Sequence, residues 1–308
     1  MNQVQEILNE VKKAVSGKDQ VLLWMLTTFL AGGHVLLEDL PGVGKTTAAL
    51  AFSRALGLDY GRVQFNPDVL PSDITGYSVL HKESGEMRYQ PGAILCHLFL
   101  ADELNRATSR TQSALLGAME EGQVTVDGIS HPLPKPFFVI ATQNPAGAAG
   151  TQLLPDSQID RFTIQLSLGY PDKEAEFSMV QNRLHGNPLD RIRRVVDRST
   201  FLAMQQKVSE VFVHEDIIRY IVALITATRQ TPLLARGASP RATLATLAVS
   251  RAVAYISERD YVVPKDVLMV YQRILPHRLK LSQEAASKSM SVSDVLSTLA
   301  GQLAPPRI

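Results

Sequence analysis

One cysteine, Cys96, is all the thiol that 308 residues supply. A lone thiol excludes an internal disulfide and fits a reducing compartment. Cys96 sits inside an apolar run, which suits a buried structural thiol better than a reactive one. Charge of one sign is missing too: 31 Lys and Arg against 30 Asp and Glu leave +1, so nothing general favours a nucleic-acid or anionic-membrane partner. Arg191, Arg193 and Arg194 form a local basic patch, a feature more often a solvated face than a binding site. His34, His81, His97, His131, His185, His214 and His277 are scattered without paired ligand spacing, so no metal cluster is expected. No serine or cysteine nucleophile arrangement stands out. Residues 21–37 form a long charge-free apolar stretch, but Gly32, Gly33 and His34 interrupt it, and it is too short to span a bilayer. The first residues are amphipathic and carry acid early, unlike a secretory signal. A cytoplasmic protein without a membrane span is expected.

What is present belongs to a globular chain: 45% hydrophobic and 20% charged residues, at a length that allows two domains and a sizeable core. Asp39-Leu40-Pro41-Gly42-Val43-Gly44-Lys45-Thr46 follows the apolar run Val35-Leu36-Leu37 and precedes a helical pattern. A strand, a glycine-rich turn and a helix N-terminus in that order make a phosphate-binding loop. Gly42 and Gly44 let the backbone approach a phosphate chain, Lys45 adds a positive charge, and the Thr46 hydroxyl can ligate Mg²⁺. The usual pattern has glycine where this chain has Asp39.

Apolar runs predict strands at 35–37, 60–65, 95–101 and 137–142, alternating with helices at 4–15, 20–31, 46–56 and 109–121. That alternation gives a parallel sheet flanked by helices. Two polar stretches predict small hairpins, one over 79–89 with Ser84-Gly85 at its middle, the other over 122–135 around Asp127-Gly128. After about Gly169 strand signals disappear and helices follow. Ser239-Pro240 reads as a serine cap followed by a first-turn proline, and Pro264 opens another helix that ends near Pro276. The expected boundary lies near Tyr170-Pro171, with an α/β domain over 1–170 and an all-α domain over 171–308.

Two further segments carry chemistry. The apolar run ending in Asp102-Glu103 would deliver both acids to the ligand edge of a parallel sheet. There Asp102 can hold the Mg²⁺ shell and Glu103 can deprotonate an attacking water. The plainer alternative is that the pair caps the next helix. Asn144, after another apolar strand, could place that water or touch the terminal phosphate, or could be a turn asparagine before proline.

Together with Ala101-Asp102-Glu103-Leu104-Asn105-Arg106-Ala107, Ala141-Thr142-Gln143-Asn144-Pro145 and Leu154-Pro155-Asp156-Ser157-Gln158-Ile159-Asp160-Arg161-Phe162, the phosphate loop resembles the MoxR-type AAA+ ATPases over nearly the whole chain. The resemblance implies a P-loop ATPase core followed by a helical lid, with ATP and Mg²⁺ as cofactors. It places nucleotide contacts on Gly17 and on Pro41, Gly42, Val43, Gly44, Lys45, Thr46, Thr47 and Asp102, and the metal on Thr46 and Asp102. Glu103 and Asn144 would be catalytic. Arg161 would be an arginine finger reaching ATP on a neighbouring subunit, with a pair to Asp156 or Asp160 as the plain alternative, and Arg106 a second intersubunit candidate. Arg241 matches the sensor-2 arginine of the lid. The two hairpins resemble the inserts of this clade and are candidates for engaging a client. The partners that the resemblance implies are copies of the chain in a hexameric ring and a client protein such as one bearing a von Willebrand factor A domain. The implied role is chaperone-like: remodelling, activation or cofactor insertion driven by ATP hydrolysis. An ATP-dependent switch with little turnover and a DNA-acting ring motor remain alternatives.

Overall fold

A computed structural model describes residues 2–40, 42–82, 85–144, 154–184 and 186–307. Among them the strands are β1 (Val35–Glu38), β2 (Tyr60–Gln64), β3 (Gly76–Leu80), β4 (Met87–Pro91), β5 (Leu98–Asp102), β6 (Gln123–Val126), β7 (Ile129–Pro132), β8 (Phe138–Gln143) and β9 (Ile164–Leu166). Five of these form one sheet in the order β2-β5-β8-β1-β9, and the β2/β5, β5/β8 and β1/β8 pairs are parallel. β5 and β8 are buried along their whole length, as continuous apolar strands covered on both faces must be. Register lines up the last residues of four strands, Glu38 opposite Gln143 and Gln64 opposite Asp102. Four parallel strands thus end in a row of polar side chains at one sheet edge.

The predicted strand over 95–101 is corrected at its start. Leu95 and Cys96 are held in a turn, their N–H groups donating to Gly92 and Ile94, so burial there comes without ladder pairing. Both hairpins form: β3 pairs with β4 and β6 with β7, antiparallel. Asp127 and Gly128 both take positive φ, 51° and 79°, the two-residue turn that matches strand twist. In the other hairpin the predicted turn residue Ser84 lies outside the described residues.

Chain contacts divide the protein into two compact units, one of residues 1–25, 34–154 and 166–202, the other of 26–33, 155–165 and 203–308. The second unit is built mainly on the helices Glu215–Gln230, Pro240–Ile256, Pro264–Ile274 and Val292–Gln302. Their apolar faces bury Ile221, Leu224, Val249, Val267, Tyr271 and Leu296. The expectation of helices alone after Gly169 is corrected by an antiparallel ribbon of β10 (Leu234–Arg236) and β11 (Lys280–Leu281). Strands of three and two residues are too short to register an alternating pattern. Ser239 is also corrected. It occupies the N-cap position of Pro240–Ile256, but makes no capping bond and donates its hydroxyl to Asp160 Oδ2 at 2.7 Å instead.

Candidate active site

The loop after β1 feeds the helix Lys45–Ala55. Its N-cap, Gly44, has φ 96°, a left-handed conformation that a side chain would strain, and Gly42 has φ 87°. No side chain caps this helix, so the N–H groups of its first turn stay available to an anion. Lys45 is buried and donates from Nζ to the Asp39 carbonyl at 2.9 Å. Burial pushes its ammonium pKa down, while the charges of Asp39, Asp102 and Glu103 oppose that shift. Pro41 lies outside the described residues.

Asp102 closes β5 with both oxygens engaged: Oδ1 accepts from Thr142 Oγ1 at 2.7 Å and Oδ2 from Arg62 Nη2 at 2.7 Å. Glu103 then turns sharply, with φ 56° and ψ 45°, a costly conformation for a residue with a side chain. Its N–H donates to Thr142 Oγ1 at 2.8 Å, so one hydroxyl on β8 accepts from Glu103 and donates to Asp102. Arg106 Nη1 holds Glu103 Oε2 at 2.8 Å. The capping alternative is not realised: Glu103 makes no side-chain cap to the 3₁₀ turn Leu104–Arg106, and Thr108 caps the helix Ser109–Glu121.

Lys45, Thr46, Arg62, Asp102 and Glu103 line one cavity of about 340 Å³. A second, of about 840 Å³, is lined by Val15, Ser16, Lys18, Val43, Tyr170 and Met179, among others. Gly42, Gly44 and Thr47 belong to both, so the phosphate loop forms the ground between an apolar cleft and a charged pocket. Gly17 lines neither, although Ser16 and Lys18 do. With φ 71° and an added Cβ 2.5 Å from Ala175 Cβ, Gly17 lets the chain pass close to the helix Lys173–Leu184.

Asn144 follows β8 and exchanges bonds with Asn105: Asn105 Nδ2 donates to the Asn144 carbonyl at 3.2 Å, and Asn144 N donates to Asn105 Oδ1 at 3.3 Å. The Asn144 Oδ1 atom is buried and has no hydrogen-bond partner among the described residues. An orphaned buried acceptor is costly and suits a group that a ligand or its water completes.

Arg161 and Arg241 belong to the second unit. Of the carboxylates weighed as plain partners for Arg161, Asp156 pairs with Arg236 and Asp160 with Arg278. Asp160 also accepts from Ser239, one proline short of Arg241, so the two arginines flank a single hydrogen bond. Sequence reasoning missed Asp39, Arg62, Asn105 and Thr142 as parts of the site. Thr142 and Asn105 were within the motifs that carried the resemblance, whereas Arg62 lay in a strand predicted only as structure.

A parallel sheet with a phosphate loop after β1 and two acids at the end of β5, one strand removed across β8, defines the phosphate-loop nucleoside triphosphatase class. Residues 34–164 match the family described as ATPase family associated with various cellular activities (AAA), and residues 226–299 match the AAA lid domain. The chain is 40% identical over 289 residues to YeaC of Bacillus subtilis, covering 94% of this chain and 90% of that protein. It is 37% identical over 308 residues to Chaperone MoxR1 of Mycobacterium tuberculosis, covering 97% and 81%. A crystal structure of a Cytophaga hutchinsonii protein, provisionally assigned as an ATPase, superposes with a TM-score of 0.91 at 34% identity, covering 99% and 96%. The chain belongs to the AAA ATPase family, in its MoxR group. No helix among the described residues is long and apolar enough to cross a membrane.

Proposed function

We propose that this chain hydrolyses ATP in a Mg²⁺-dependent reaction and uses the cycle to remodel or activate a partner protein. The observation that carries this reading is the meeting of Lys45, Thr46, Asp102 and Glu103 in one cavity at the sheet edge. The apolar cleft takes the base and ribose, and the charged pocket takes the phosphates against the uncapped helix N-terminus. Lys45, the Gly42–Thr46 backbone and Thr47 hold the phosphate chain. The hydroxyl of Thr46 and the carboxylate of Asp102 are hard oxygen donors in the same cavity, a set that fits Mg²⁺. When bound there, the ion neutralises phosphate charge and helps to orient the chain. Glu103, held by Arg106 and by the Thr142 hydroxyl, takes the proton from the attacking water, and Asn144 Oδ1 helps to place that water.

Arg161 is assigned as the finger that stabilises charge on the phosphoryl group bound by a neighbouring copy, and Arg241 as the residue that reports the phosphate state to the lid. A trans arginine needs a neighbouring copy in head-to-tail contact, for which a hexameric ring is the proposed form. The relative named Chaperone MoxR1 supports a chaperone-like use of the cycle. A cytoplasmic location and a client bearing a von Willebrand factor A domain complete the proposal.

The test compares ATP turnover against protein concentration for the native chain, Glu103→Gln and Arg161→Ala. The expected result is activity per subunit that rises with concentration, a loss of about 10³-fold in each variant, and partial recovery when the two are mixed. Recovery occurs because an intact Arg161 on one copy can serve an intact Glu103 on the next. Turnover independent of concentration, with Arg161→Ala at full rate, would remove the ring mechanism. Turnover unchanged by Glu103→Gln would leave a nucleotide-dependent switch.

A further inference from the structure

Asp39 stands where the usual phosphate loop has glycine, and the residue is only 5% exposed. Both oxygens are filled by one short segment. Oδ1 accepts from Ser167 Oγ at 2.7 Å and from Gly169 N at 2.9 Å, and Oδ2 accepts from Leu168 N at 2.7 Å. The backbone of the same residue is equally engaged. Its N–H donates to the Gln143 carbonyl at 3.3 Å, and its carbonyl accepts from Lys45 Nζ at 2.9 Å. One residue therefore ties together the end of β8, the phosphate-loop lysine and residues 167–169.

Residues 167–169 run directly into Tyr170 and Pro171, which wall the larger cavity, and that wall continues along the helix Lys173–Leu184 with Ala175, Glu176 and Met179. Nothing in a glycine could reach this segment. Hydrogen bonds from backbone N–H groups to a buried carboxylate are among the stronger protein hydrogen bonds, and each donor left without its acceptor is costly. We propose that Asp39 is a positioning residue for nucleotide: it fixes the base-side wall to the phosphate loop, so that the two cavities keep one spacing. The proposal rests on the reading that a nucleotide lies across both cavities. A residue that only held the phosphate loop in shape would affect every phosphate ligand equally, whereas a residue that holds the wall affects those ligands that carry a base.

The experiment measures binding of ATP, ADP and inorganic tripolyphosphate by calorimetry to the full chain and to Asp39→Gly and Asp39→Asn, with thermal unfolding of each variant alone. Asp39→Gly is expected to weaken ATP and ADP roughly tenfold or more, and to leave tripolyphosphate within about twofold. Asp39→Asn keeps one acceptor oxygen and should fall between. If Asp39→Gly fails to fold, the asparagine variant alone carries the comparison. An equal loss for ATP and tripolyphosphate, or no loss for either, overturns the proposal. A native chain that binds tripolyphosphate as tightly as ATP overturns the nucleotide reading itself, an outcome seen before any variant is made.

Discussion

At the scale of single residues, the first unit carries a titration of its own. His34 precedes β1 and accepts the Val139 N–H on Nδ1 at 3.0 Å, with its ring edge-on to Phe137. A ring nitrogen acting as acceptor must be unprotonated, and burial pushes the imidazole pKa down from its ordinary value to about 4. The neutral form is favoured in the folded chain, so stability is full above the unfolded value near 6.5. Between there and about 4 the unfolded chain binds the extra proton, and stability falls with pH. His277, buried in the second unit beside Arg278, is shifted in the same direction. Urea unfolding of the native chain and of His34→Asn separates the two. The asparagine oxygen keeps an acceptor for Val139 and cannot titrate, so the native chain should lose its advantage over the variant as pH falls from 7 to 5. A difference independent of pH would show that folding does not shift the His34 pKa.

At the scale of elements, the second unit is held by a partly buried pair that no sequence pattern announced. Arg278 is buried and donates to Asp160 Oδ1 at 2.9 Å, and also to the carbonyls of Phe162 and Thr163. Burial lowers its pKa, and the Asp160 charge opposes that. Asp160 holds Ser239 too, so the turn carrying Arg161 is tied to the helix carrying Arg241. Removing one partner of a buried pair leaves the other charge uncompensated, so Asp160→Ala should cost about 3–5 kcal/mol in urea unfolding. Adding Arg278→Met should restore part of that loss, and a double variant no more stable than Asp160→Ala alone would show that the ion pair is not the cause. The pair was invisible beforehand because its residues are 118 positions apart, and long-range ion pairs have no local signature. Elements with their own periodicity were legible: the helix Ser109–Glu121 has its predicted bounds, and the Asp127-Gly128 turn sits where its residues put it. The ribbon of β10 and β11 was not legible, since its pairing depends on tertiary contact rather than on pattern. In the site, the phosphate loop and the two acids could be read from residue type and spacing. Arg62 could not, because only the register of β2 against β5 brings it to Asp102.

At the scale of the whole molecule, the choice between a protein client and a nucleic-acid track turns on what the hairpins present. Tyr77, Val79, Leu80, Met87 and Ile129 are exposed on β3, β4 and β7, and Leu80 lies directly opposite Met87. Tyr89 of the first hairpin stacks on His131 of the second, ring centroids 3.7 Å apart, which joins the two hairpins. Charges on the described hairpin residues are mixed, Lys82 and Arg88 against Glu86 and Asp127, and the whole chain carries only +1. Backbone binding to DNA draws its affinity from phosphate neutralisation, which needs rows of cations that these hairpins lack. Exposed apolar side chains paired across a strand suit extended or partly unfolded polypeptide instead. ATP turnover should therefore be unchanged by duplex DNA at about 50 mM salt, where non-specific binding is strong. It should rise with an unfolded polypeptide, and Leu80→Ser with Met87→Ser should remove that rise while leaving basal turnover unchanged, since neither residue lines the two cavities. Stimulation by DNA that fades as salt is added would reverse the assignment and make the protein a nucleic-acid motor. Stimulation by polypeptide that survives the double variant would keep the protein client and move its docking surface away from the hairpins.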